Sequence, residues 1–400
     1  MMRAISRSPM IRWAVASALA VSIPLATAAA PASAGSYVPI DGSGTSWASL
    51  AIDQWAQALR PTGITVNFNP DGSAQGRADY MANQDDFAAS DPAFRSRRDQ
   101  LGGVGPEHPV QGYSYIPDVA GGTAFDYHIS VDGHLITNVR LSARTLRKIF
   151  TGRITNWDDP RITRDNGHAL PNLRITPVIH ADGDGGTYFF TRWMAHVYPR
   201  QWNAFCEEVH FGITPPCGPT EFYPPFGNAR AENGSANVMN FLTSTFGNGS
   251  IGYVEYAYAL ASHLPVVKLR NPAGRYVLPT AANVTTALTQ AVINERASSR
   301  NFLQQNLNRV YTYTNPASYP LASYSYLIVP REGTPLPGNF TEAKGRTLSA
   351  FAVFALCGGQ RFLNQLGYAP LPSGLVQGGL KQAAHIPGHG PIPTPAQCAS

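Results

Sequence analysis

The chain has 400 residues, 44% of them apolar and only 14% charged, with a formal net charge of +5. Such a composition supports a large packed core and excludes a disordered chain, and the length suits roughly two or three domains. Discounting Arg3, Arg7 and Arg12 of the N-terminal segment leaves +2, which is no nucleic-acid footprint.

Residues 1–34 read as an export signal. Three arginines precede an apolar run from Trp13 to Ala28, and Ala32-Ser33-Ala34 supplies small residues for cleavage. The run is broken by Ser22 and Pro24 and is too short to span a bilayer. The mature chain is therefore expected from about Gly35, in the periplasm or secreted. The first cysteine is Cys206, so no lipid anchor is expected, and no later stretch reads as a transmembrane helix.

The segment GSGTSW at 42–47 reads as a glycine-rich loop feeding a helix, because Trp47, Leu50, Ala51, Trp55 and Leu59 recur at helical spacing. Ile64, Val66 and Phe68 alternate as in a strand, and DGSAQG at 71–76 opens a second helix. The stretch from Ser90 to Gly112, with its RSRR run, reads as a solvated surface loop. Strands are expected at Tyr113–Ile116 and Phe125–Ile136, with Asp132-Gly133 as a hairpin turn. Ser142 should cap a helix from Ala143 to about Phe150, closed by Gly152. HADGDGGT at 180–187 opens another helix; Tyr324–Val329 reads as a strand, Leu348–Leu356 as helix, and the tail after Ile386 as irregular. Strand, glycine loop and helix in succession are α/β grammar.

A helix N-terminus offers unpaired N–H groups and the positive end of a dipole, so three such loops could converge on one oxyanion, with Ser46, Ser73 and Thr187 adding hydroxyls. Taken singly, each is equally an ordinary helix cap. No Walker-type loop, dinucleotide fingerprint or G-x-S-x-G elbow is present, Asp182 and Asp184 lack the rest of a calcium loop, and His385 and His389 have no partner ligands nearby. No cofactor, metal or catalytic group is therefore expected. The N-x-S/T sequons at Asn233, Asn248, Asn283 and Asn339 matter only in a eukaryotic secretory pathway. Four cysteines in an exported protein suggest two disulfides, and proximity in sequence favours Cys206–Cys217 and Cys357–Cys398.

Four ordered motifs carry a family resemblance: VNFNPDGS with DDFAASD between 65 and 91, TLRKIFTGRITNWDDPRI at 145–162, GSIGYVEYAYA at 249–259 and YPLASYSYLIVP at 319–330. With them the chain resembles the phosphate-specific binding proteins of high-affinity phosphate ABC importers, from about Asp41 to Ala384. The resemblance implies an α/β, two-lobed clamp whose chain crosses between lobes twice. Lobe one would be 35–117 and 319–400, and lobe two 118–318. It implies a monomer that binds inorganic phosphate without reacting and delivers it to an ABC permease. By the same resemblance, Ser46 and Trp47 come from the first ligand loop, Ser73 from the second, and Asp91 accepts a proton from the phosphate. Asp182, Gly186 and Thr187 come from the last. His180 stands where the family has Arg, and D-G-D-G-G-T stands for D-G-S-G-T, with Asp184 near the serine position. Both changes make that loop less positive. Local cysteine pairing also fits the implied clamp, since a bridge from Cys206 to Cys357 would oppose closure. The other readings are the same clamp with another oxyanion or a phosphate ester, and a secreted phosphatase-like enzyme.

Overall fold

The computed structural model describes residues 37–398, so the expected signal at 1–34 lies outside the described residues. Its centre is an eight-stranded sheet. The strands are β1 (Ile40–Gly44), β2 (Val66–Asn69), β3 (Phe87–Ser90), β4 (Tyr113–Tyr127), β5 (Thr176–His180), β6 (Arg230–Glu232), β7 (Ser250–Glu255) and β8 (Ala322–Pro330). Their order is β2-β1-β3-β8-β4-β7-β5-β6. β1 runs parallel to β2 and β3, and β5 runs parallel to β6 and β7. Two parallel half-sheets are thus joined through antiparallel β8 and β4.

The junction is a single strand of 15 residues where two were expected. From Tyr113 to Gly122, β4 pairs with β8; from Thr123 to Tyr127 it pairs with β7. The chain therefore passes from one half-sheet to the other without leaving the sheet. All but the first residue of β4 are buried, which is why a sequence pattern of alternation failed to mark it as one strand. The expected Asp132-Gly133 turn follows, with φ of 50° and 79° at those residues, joining two-residue strands at 130–131 and 134–135.

Helices α1 (Ser49–Leu59), α2 (Ser73–Met81), α3 (Ala143–Ile149), α4 (Gly185–Val197), α5 (Gly234–Thr243) and α6 (Glu342–Leu356) cover the sheet. The Ser142 cap is formed: its Oγ accepts from Thr145 N at 3.2 Å. α1 is held by Trp55, fully buried against Phe351 and donating from Nε1 to Gly359 O at 3.0 Å. Burying an aromatic of this size contributes roughly 1.5–3 kcal/mol. Among the described residues no helix is long and apolar enough to cross a membrane.

Two expectations need correction. Gly42–Gly44 belongs to β1 and not to a loop, because the strand is pressed so tightly that a Cβ on Gly42 would sit 2.4 Å from the Phe87 ring. Cys357 and Cys398 are bridged, but Cys206 and Cys217 are free buried thiols. The two touch, with Cys206 raised first by burial and then by its hydrogen bond with Cys217. The expected proximity is present; the covalent bond is not.

Candidate functional site

Five chain segments that leave the carboxyl ends of parallel strands meet at one point, the usual ligand position in open α/β sheets. β1 leads through Thr45-Ser46-Trp47 to α1, β2 leads through Gly72 to α2, and Asp91 follows directly on the end of β3 at Ser90. From the other half-sheet, β5 leads from His180 through Asp182 and Asp184 to α4, and β6 leads through Asn233 to α5. All the side chains expected at the site are there and buried: Ser46, Trp47, Ser73, Asp91, His180, Asp182 and Thr187. Gly186 lies in the first turn of α4.

The two groups of segments touch. Ser46 Oγ lies 3.0 Å from Ser235 Oγ and accepts from Ser235 N at 3.1 Å. Ala74 N donates to Gly183 O at 2.9 Å. A Cβ on Gly185 would fall 2.0 Å from Asp91 Oδ2, so only glycine permits this approach.

Asp91 receives Thr45 Oγ1 at 2.8 Å and Ser73 Oγ at 3.4 Å. Burial and then the Asp184 charge raise its carboxyl to about 7, against the pull of Thr45, Ser325 and Ser73. His180 is held by Nε2 at 3.0 Å from the Tyr253 carbonyl, with Nδ1 3.3 Å from Asp182 Oδ1 and 3.7 Å from Asp184 Oδ1. Burial opposes charge on this imidazole, but Asp184 and Asp182 lift it to about 9. Burial raises Asp184 itself, whereas His180 outweighs burial at Asp182 and lowers it. Tyr253, from the GSIGYVEYAYA run, positions the loop twice, packing its ring against His180 at a tilt of 35° with centres 5.2 Å apart and pairing its hydroxyl with Thr187 Oγ1 at 2.6 Å.

Four helices aim their N-termini here. The residues that precede α1, α2 and α5 make no side-chain cap of their own; part of their first turns is instead satisfied across the site, Gly234 N donating to Asp182 Oδ1 at 2.8 Å, Ser235 N to Ser46 Oγ at 3.1 Å and Ala74 N to Gly183 O at 2.9 Å, while the positive ends of the three helix dipoles still point to one place. α4 is capped by Asp184, which accepts from Thr187 N at 2.5 Å. The α5 terminus was missed from sequence: Asn233-Gly234-Ser235 reads there as a glycosylation sequon. Its signal was the same glycine-serine step into a helix seen at Gly72-Ser73. Thr45, which anchors both Asp91 and the Trp47 N–H, was also missed.

The RSRR loop carries chemistry that a solvated reading did not foresee. Arg95 and the wholly buried Arg77 share Glu107 and reach across to Glu221, Arg77 Nη2 at 2.6 Å and Arg95 Nη1 at 2.7 Å. A cavity of about 640 Å³ adjoins the site at Asp91, lined by Arg95, Arg97, Arg98 and Arg192 together with the carboxylates Asp91, Asp99 and Glu221.

A two-lobed α/β sheet with a buried, hydroxyl-lined cluster at the strand ends defines a class, the periplasmic-binding-protein-like fold. The sequence model of the PBP superfamily domain matches residues 26–358, and the chain belongs to that superfamily. It is 28% identical over 345 residues to the phosphate-binding protein PstS of Xylella fastidiosa strain Temecula1, covering 85% of this chain and 83% of that one. To PstS of Haemophilus influenzae it is 26% identical, over 84% and 90% of the two chains. Its fold is similar to a high-affinity periplasmic phosphate-binding protein (PfluDING) solved with phosphate, with TM-score 0.59, 20% identity and coverage of 85% and 92%. It is also similar to a phosphate-binding protein from Stenotrophomonas maltophilia, with TM-score 0.58, 16% identity and the same coverages.

Proposed function

We propose that this chain is an exported solute-binding protein that captures inorganic phosphate and delivers it to an ABC permease, without chemical change to the ligand. The observation that carries the reading is the convergence of the N-termini of α1, α2 and α5, drawn from both half-sheets, with the buried hydroxyls of Ser46 and Ser73 and the carboxyl of Asp91. The positive ends of three helix dipoles favour an oxyanion, and the serine hydroxyls can donate to it. Asp91 supplies the discrimination. A buried carboxylate is tolerable beside an anion only if the anion donates a hydrogen bond to it, which a protonated phosphate does and sulfate does not.

In this reading residues 1–34 are the export signal, 35–117 with 319–400 form lobe one, and 118–318 form lobe two. The long shared strand β4 and β8 are the crossings, and the protein acts as a monomer in the periplasm or outside the cell. Calorimetric titration of the mature chain with phosphate, arsenate, sulfate and a phosphate monoester tests it. Phosphate and arsenate should bind and sulfate should fail. Sulfate binding equal to phosphate refutes the assignment, and a preferred monoester reassigns the cargo.

A further inference from the structure

A second cavity of about 640 Å³ lies at the far end of α4 from the cleft and shares no lining residue with the site. Gly185 opens α4 at the cleft, whereas Val197 and Tyr198, at and just past its last turn, line this cavity roughly 18 Å further along the helix axis. Its walls are cationic. Arg144 and Lys148 of α3, Arg161 and Arg164 of the helix Pro160–Asn166, and Arg270 at the end of the strand Lys268–Arg270 all line it, and the carboxylate among them is Asp165.

These cations lack counter-charges. Arg161 is paired with Asp159, Nη2 to Oδ2 at 2.6 Å. Among the described residues the side chains of Arg144, Lys148 and Arg164 make no hydrogen bond or ion pair, and Arg270 donates to the Gly274 carbonyl at 3.3 Å. Asp165 holds its own neighbours instead, Oδ2 accepting from Ser142 N at 2.7 Å and Oδ1 from the Tyr276 hydroxyl at 3.2 Å. Asp165 and Asp159 set against the five cations leave three positive charges around one cavity. Behind the wall stands a further cation: Arg147 is 8% exposed, its Nε has no hydrogen-bond partner among the described residues, and its guanidinium lies 5.2 Å from the centre of the Tyr198 ring. Burial first, and then the charges of Arg161, Arg147 and Arg144, hold the Lys148 ammonium below its usual value. A soluble surface ordinarily intersperses the two signs of charge; like charges gathered around a concavity raise a potential that draws anions in.

We propose that this cavity is a second anion site, separate from the cleft, that binds a small molecule carrying a chain of two or more phosphoryl groups. Its volume falls within the roughly 300–1,000 Å³ of small-ligand pockets. A single phosphate dianion would leave part of the three positive charges unmatched, whereas a diphosphate or triphosphate chain matches them. The guanidinium forks of four arginines suit phosphoryl oxygens, which they bind in pairs. Tyr198, Val197 and Pro320 add an aromatic and apolar wall, against which a nucleoside base can pack, so the chain is either inorganic or part of a nucleotide. The inference does not depend on which solute the cleft carries.

The mature chain, in excess inorganic phosphate so that the cleft is occupied, is titrated by calorimetry with inorganic tripolyphosphate and with ATP, both free of Mg²⁺. One equivalent of at least one probe should bind. Arg144→Gln combined with Arg164→Gln should weaken that binding at least tenfold, and Lys148→Gln should move it the same way, while phosphate titrated alone binds these variants within twofold of wild type. Arg60→Gln with Lys381→Gln removes the same charge from exposed positions outside the cavity and should change neither affinity. Melting curves confirm that the variants fold. Equal binding of the two probes, or tighter binding of tripolyphosphate, assigns an inorganic chain; ATP bound more tightly assigns a nucleotide. No uptake of either probe, a loss below tenfold in the Arg144 and Arg164 variant, or an equal loss in the Arg60 and Lys381 variant overturns the inference and leaves the reading of the cleft standing. Uptake of tripolyphosphate by a chain that binds no phosphate keeps this site and sinks the reading of the cleft.

Discussion

Substituting Glu221 by Gln should loosen the contact between the two groups of site segments and weaken phosphate binding by about two decades. Glu221 Oε2 accepts from both Arg77 and Arg95, and these two arginines come from the other side of the cleft. Removing one partner of a buried ion pair costs about 3–5 kcal/mol. The low end applies here for two reasons. Burial keeps the Glu221 carboxyl raised in spite of Arg77, so the pair repays only part of its desolvation. Glu107 also retains both arginines after the substitution. A loss of about 3 kcal/mol from the closed form subtracts from binding if the ligand is held only when the halves meet, and corresponds to about a hundredfold in Kd. Calorimetry gives the affinity, and small-angle scattering of the phosphate-saturated variant should give a larger radius of gyration than wild type. A Kd within threefold of wild type together with unchanged scattering refutes the idea that this ion pair closes the clamp.

Asp91→Asn should cost discrimination more than affinity, because an amide can donate to a fully ionised oxyanion; the phosphate-to-sulfate ratio should fall by about two decades, and an unchanged ratio in competition titrations counts against the role of Asp91. Gly185→Ala should weaken phosphate binding at least tenfold with little change in melting temperature of the unliganded protein, since its Cβ would strike Asp91 only where the halves meet. Cys357→Ser with Cys398→Ser should destabilise the fold by about 4 kcal/mol, from the chain entropy of a cross-link spanning 41 residues, measured by urea unfolding. Asp126 is buried with neither carboxylate oxygen partnered among the described residues, and burial raises its carboxyl well above the usual range. A carboxyl raised on folding contributes stability below its unfolded value near 4 that is lost as pH rises toward the folded value. Asp126→Asn should therefore raise the melting temperature at pH 8 and do little at pH 4; the reverse order in calorimetric scans would contradict this.

The local grammar was legible without coordinates. A glycine loop carrying serine or threonine, followed by a helical pattern, placed α1, α2 and α4, and short-range capping chemistry at Ser142 needed nothing beyond its neighbours. Asp91 was named only through the family resemblance, and the structure brings it together with Ser46, Ser73 and Thr187. The α5 terminus escaped because Asn233-Gly234-Ser235 has no meaning until β6 is laid beside β5. Three things only the tertiary structure decided. β4 is one strand, because both its faces are buried and alternation disappears. Cys206 and Cys217 remain thiols, because closeness in sequence does not set the S–S geometry. The charge balance of the site is the third: Asp91, Asp182, Asp184 and His180 lie up to 93 residues apart along the chain, and their mutual fields depend on distances of a few ångströms that sequence separation does not encode.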